Sequence, residues 1–268
     1  MGQVIHCHKL RIHTGSTSKK SIFAKNANMT LIRSISGIRG TIGGYPGDNL
    51  TPLDIVKYSS AYGQWIKEHR QKESHRVVVG RDARPSGKMV QDLVISTLLG
   101  MGIDVVDLDL STTPTVEMAV MLERADGGII LTASHNPVQW NALKLLNSRG
   151  EFLSAEDGAR ILELAESDKL AFAQVEDLGA VHKNQAYIDI HIDEILDLPL
   201  VDAEAVRKAR FKVVVDGVNS TGGIAVPLLL EAMGVEAVKI HCTPNGWFPH
   251  NPEPLKAHLT DLMEAVVR

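Results

Sequence analysis

The chain has 268 residues, 44% of them hydrophobic and 22% charged, enough apolar material to bury the core of one large globular domain or two ordinary ones. The first 28 residues hold five of the 28 Lys and Arg and no acid. The remainder therefore carries 23 basic against 32 acidic residues, a net of −9, with no overall field favouring nucleic acid or an anionic membrane as a partner.

Two distant cysteines, Cys7 and Cys242, argue against a disulfide framework and a Cys-x-x-Cys metal site. No apolar run approaches the roughly 20 residues that cross a bilayer, so a soluble protein of a reducing, cytoplasmic compartment is expected.

In chain order, residues 1–28 show no sustained apolar periodicity and are read as a leader or disordered segment ahead of Met29. "TPLDIVKYSSAYGQWIKEH" opens with Thr51 as a cap and Pro52 at the first helical position, and puts Ile55, Tyr58, Tyr62 and Trp65 on one stripe. "RVVVG" predicts a buried strand, and "GKMVQDLVISTLLGMG" a helix ending on Gly100 and Gly102. "IDVVDLDL" follows as a strand, "TPTVEMAVMLERADG" as a helix, and "GIILT" and "LKLLN" as two further strands. This alternation implies crossovers and a three-layer α/β domain whose mostly parallel sheet is covered on both faces.

"SAEDGARILELAESDKL" shows a Ser154/Asp157 capping pattern ahead of a helical stripe, and weak periodicity over 171–186 suggests a domain boundary. The first domain is expected over 29–180 and a second, incomplete α/β domain over 181–268. The latter comprises helices "AYIDIHIDEILDL" and "DAEAVRKA", strand "FKVVVDGVN", helix "GGIAVPLLLEAMG", strand "VEAVKIHC", a Pro-rich loop and one helix "LKAHLTDLMEAVVR". A closing helix of this kind calls for a following strand.

Between the strands ending near Leu131 and beginning near Leu143 lies "TASHNP", with Ser134 at its tip. Loops after the carboxyl ends of parallel strands form ligand crevices, although Ser, Asn and Pro are also ordinary turn formers. Alternation puts Lys144 on the face opposite Leu143 and Leu145, where it can stabilise a phosphate or move a proton; an edge strand protected by its lysine is the plainer alternative. Two glycine-containing loops add cations, "SISGIRGTIGG" around Arg39 and "GRDARPSGK" with Arg81 and Arg84, the last assigned to a surface ion pair. The set suggests a phosphate-bearing ligand, while the Walker A, dinucleotide-binding and Gly-x-Ser-x-Gly patterns are absent.

"SGIRG", "GRDARPSG", "TASHNP" with a lysine ten residues beyond its serine, and "GWFPHNPEP", in this order, resemble the α-D-phosphohexomutase family of phosphoglucomutases, phosphomannomutases and phosphoglucosamine mutases. The resemblance runs from about Met29 to the last residue. It implies a phosphoserine enzyme with Mg2+ that moves phosphate between the C1 and C6 oxygens of a hexose phosphate through a hexose 1,6-bisphosphate. Ser134 would be the phosphoryl donor and acceptor, and its phosphate a ligand of the metal. Lys144 and Arg39 would stabilise the transferring charge and assist proton movement, with Arg81 and Asn136 contributing to phosphate binding. His135 would line the sugar side, and Asn136 and Pro137 would fix the turn.

Two departures qualify this. Ala142 stands where the family commonly has glycine, and the family's Asp-x-Asp-x-Asp-Arg metal loop does not occur in the sequence. An amino-terminal fragment, nearly inactive on its own, is the expectation. A non-catalytic phosphosugar-binding or interaction module is the alternative.

Overall fold

The computed structural model describes residues 29–34, 37–167 and 170–267, so the expectation for the leader lies outside the described residues. The first described elements are a hairpin, β1 (Ile32–Ser34) and β2 (Gly37–Thr41), where sequence suggested a glycine loop. β2 is a full member of the sheet, pairing antiparallel with residues 140–146. Glycine is required at 37: φ is +114°, and a Cβ there would run into the Leu143 carbonyl.

Thr51 and Asp54 form a capping box that starts α1 (Pro52–His69), and Pro52 presets its first turn. The expected stripe of Ile55, Tyr58, Tyr62 and Trp65 is buried, and the Tyr62 hydroxyl lies 2.7 Å from the Leu146 carbonyl. There follow β3 (His75–Arg81), α2 (Gly87–Gly100), β4 (Ile103–Leu110), α3 (Thr113–Leu122), β5 (Gly127–Leu131), β6 (Trp140–Leu146), α4 (Ala155–Ala165) and β7 (Val181–Lys183). Ser154 caps α4 by accepting the Asp157 N–H, as its pattern predicted.

These strands form one sheet in the order β1-β2-β6-β5-β3-β4-β7. The block β5-β3-β4-β7 is parallel, whereas β6 returns antiparallel to β5 because residues 132–139 are too few to cross over the sheet. Both faces are covered, as expected. Val77, Val79, Ile129, Leu131, Leu143 and Leu145 pack with the helices α1, α2 and α4, and Val78, Val106, Ile130 and Leu146 with α3.

The remaining elements are α5 (Tyr187–Leu196), α6 (Ala203–Ala209), β8 (Lys212–Asp216), α7 (Gly222–Ala232), β9 (Glu236–Ile240) and α8 (Thr260–Val267). β8 and β9 form a two-stranded parallel sheet joined by α7. The last helix is shorter than expected. Residues 256–258 form a separate single turn, held by the His258 ring against the Glu253 carbonyl at 2.8 Å, and the backbone leaves the helical region at Leu259. Among the described residues no helix is long and apolar enough to cross a membrane.

Candidate functional site

Residues 132–139 leave the carboxyl end of β5 and turn sharply back into β6. Ser134, at the tip, is exposed and left-handed, with φ +53°, a costly backbone for a residue with a Cβ. Its N–H donates to Thr132 Oγ1 at 3.1 Å, and that hydroxyl donates to Asp82 Oδ2 at 2.6 Å. The strain is maintained from beneath by Arg84, 1% exposed. All five guanidinium N–H groups are used: Nε donates to Asp82 Oδ2 at 3.0 Å, Nη1 to the carbonyls of Pro137 (2.6 Å) and Trp140 (3.1 Å), and Nη2 to those of Ser134 (2.8 Å) and Asn136 (2.7 Å).

The expected surface ion pair of Arg84 is thus corrected. Its pairing with Asp82 is real but buried, and the guanidinium is the internal frame of the serine loop. Nothing in "GRDARPSGK" distinguishes a buried arginine from an exposed one, because the four carbonyls it serves belong to a segment fifty residues away.

Ser134 and His135 open on a cleft of about 440 Å³, whose far wall includes Asp216, Val218, Gly222 and Phe248. Val218, a β-branched residue at φ +48°, faces the cleft with a strained backbone of its own. The amino-terminal end of α7, at Gly222, also opens here, its first turn held by the Gly223 N–H on the Ser220 carbonyl and the Ile224 N–H on the Thr221 carbonyl, both at 3.0 Å. His135 Nδ1 lies 3.4 Å from Ser134 Oγ and its Nε2 3.1 Å from Glu253, so the imidazole ties the serine loop to the Pro-rich segment. The Arg84 guanidinium also sits 5.0 Å from the Phe248 ring centre.

Arg39 and Lys144 form a second group behind the loop. Arg39 lies across from Ala142, so β-strand alternation puts Arg39, Ala142 and Lys144 on one side of the sheet. Burial, then the Arg39 charge, push the half-buried Lys144 below the usual lysine range, while Glu117 and Asp82 oppose the shift. Asp82 therefore links the two groups, bonding the serine loop and interacting with Lys144.

Two expected phosphate ligands have other tasks. The Arg81 guanidinium reaches Asp109 at 2.7 Å, Gln91 at 3.1 Å and the Asp82 carbonyl at 3.2 Å. The Asn136 side chain donates to the Ala133 carbonyl at 2.8 Å, closing the turn.

Residues 31–171 match the family model "Phosphoglucomutase/phosphomannomutase, alpha/beta/alpha domain I", and residues 189–268 match that of domain II. The chain belongs to the phosphoglucomutase/phosphomannomutase family. A "Phosphoglucomutase/phosphomannomutase" of Thermococcus kodakarensis is 39% identical, with 85% of this chain and 50% of that protein aligned. A "Probable phosphoglucosamine mutase" of Methanopyrus kandleri is 34% identical over 86% of this chain and 48% of that protein. A solved "putative phosphomannomutase" from Thermus thermophilus shares the fold at a TM-score of 0.74 and 24% identity, covering 88% of this chain and 52% of that one. The chain spans about half the length of the curated relatives it matches.

The donors present bear on the metal expectation. Asp216, His241 and His250 bring three ligand atoms within 4.8 Å of one another. Two imidazoles and one carboxylate do not fit Mg2+, which takes oxygen ligands in octahedral geometry.

Proposed function

We propose that Ser134 is the phosphoryl-carrying group of a phosphohexomutase that interconverts hexose 1- and 6-phosphates in the cytoplasm. The observation that carries this reading is the construction of the serine loop. An exposed hydroxyl is held in a strained turn at the mouth of a cleft by a buried guanidinium with all five N–H groups engaged.

Phosphoryl transfer leaves little covalent work to the protein, so positioning and charge stabilisation are what the residues must supply. A hydroxyl oxygen of the bound sugar phosphate attacks the Ser134 phosphorus in line, the bond to Ser134 Oγ breaks, and a hexose 1,6-bisphosphate forms. Return of its other phosphate restores phosphoserine. Lys144, whose proton is loosened by burial, assists proton movement, and Arg39 contributes positive charge beside it. His135 borders the sugar, while Arg81 and Asn136 hold the neighbouring loops rather than the phosphate. Mg2+ is proposed as the accompanying ion, with the Ser134 phosphate as this chain's contribution to its ligands.

The unit bearing Ser134 is taken to extend from residue 29 through β7, slightly past 180, because β7 completes its sheet. The second unit supplies the opposite wall of the cleft. Incubation of the full chain with glucose 1,6-bisphosphate and Mg2+ is expected to phosphorylate Ser134, giving a mass gain of about 80 Da. A chain that binds sugar phosphate and never gains that mass would instead be a non-catalytic binding module.

A further inference from the structure

The cluster on the second unit shares only Asp216 with the wall of the Ser134 cleft, and its details have the form of a metal site. Asp216 ends β8, His241 follows β9 directly, and His250 comes from the Pro-rich segment, so three separate stretches converge. Each group is also oriented by an outer partner. Asp216 Oδ1 accepts the Val218 N–H at 3.0 Å, leaving Oδ2 for the cluster. The His250 Nδ1 donates to the Asn251 carbonyl at 2.9 Å, so Nε2 is the ring nitrogen left to take an ion once the proton it shares with Asp216 is displaced. His241 Nε2 lies 2.9 Å from Asp261 in the first turn of α8, a carboxylate able to orient that ring or to take a coordination position. The two imidazoles meet edge to face, 5.6 Å between centres.

We propose that Asp216, His241 and His250 bind a divalent transition-metal ion of the zinc type, with Asp261 or water completing the shell. Two imidazole nitrogens with one carboxylate are a donor set such ions use, commonly leaving an open position. In a tetrahedral shell with ligands at about 2.1 Å the donor atoms stand about 3.4 Å apart, so small side-chain adjustments suffice. His250 Nε2 and Asp216 Oδ2, now 2.8 Å apart, would open to admit the ion. The ion would fasten the carboxyl ends of β8 and β9 to the segment whose Phe248 and Glu253 reach Arg84 and His135.

Zinc titration of the full chain by calorimetry tests this without sugar or turnover. His6, Cys7, His8 and His13 are competing donors, so the titration uses the full chain carrying alanine at these four positions. One equivalent of Zn2+ is expected, retained in excess Mg2+. In that background, His241→Ala and His250→Gln should each weaken it by more than the roughly 100-fold at which loss of an outer partner saturates. Co2+ bound to the same chain with both histidines intact should give the visible bands of a four- or five-coordinate ion without thiolate charge transfer, a readout independent of how the variants fold. No saturable zinc binding would mean that His250 and Asp216 are only an ion pair, and would overturn the proposal. So would binding that survives both substitutions, displacement by Mg2+, or a six-coordinate cobalt spectrum.

Discussion

Arg84 carries a consequence out of proportion to its place in the sequence. Its removal takes away the charge paired with the buried Asp82 carboxylate and a side-chain donor from each of four loop carbonyls, so Arg84→Ala should cost about 3–5 kcal/mol in denaturant unfolding. Arg149→Ala, which breaks an exposed pair with Glu151, should stay within about 0.5 kcal/mol. Ser134 shows the opposite balance. Its side chain makes little of the fold, so Ser134→Ala should leave stability within about 0.5 kcal/mol while abolishing phosphorylation. Lys144→Gln should slow Ser134 phosphorylation by about 100-fold or more, since a positioned charge is lost, and circular dichroism should report an intact fold.

Among the elements, those governed by local rules were legible in the sequence. Thr51 and Pro52 announced α1, Ser154 and Asp157 announced α4, and the apolar runs of β3, β4 and β5 fell where expected. What escaped was set by distant partners. Gly37–Thr41 reads as a flexible glycine loop until β6 offers it a pairing edge, and Arg84 reads as exposed until the serine loop folds over it. The cations were recognised by residue type, but which of them would be spent on protein partners, as Arg81 is on Asp109 and Gln91, is decided only by packing. Gly246 belongs to the same class. At φ +73° it passes against the backbone of Ala83 and Arg84, and a Cβ would strike the Ala83 carbonyl. Gly246→Ala should therefore cost about 1–3 kcal/mol, measured by chemical unfolding, and loosen the Pro-rich segment from the serine loop.

Over the whole molecule, two units meet at one cleft: a sheet that presents Ser134, and a smaller unit that contributes Asp216, Val218, the start of α7 and Phe248. His135 with Glu253, and Arg84 with Phe248, are among the contacts that close it. The chain spans about half of its matched relatives, and the family's Asp-x-Asp-x-Asp-Arg loop does not occur in it. Turnover of hexose phosphate by these 268 residues alone is accordingly expected to be far below the roughly 1–1,000 per second of ordinary enzymes. A single slow phosphorylation event asks less, and it bears directly on Ser134. The decisive measurement is intact-mass and peptide mapping of the chain after hours with glucose 1,6-bisphosphate and Mg2+. A gain of about 80 Da located on Ser134 and absent from Ser134→Ala is predicted; an unchanged mass, or phosphate on another residue with Ser134 bare, would contradict the account.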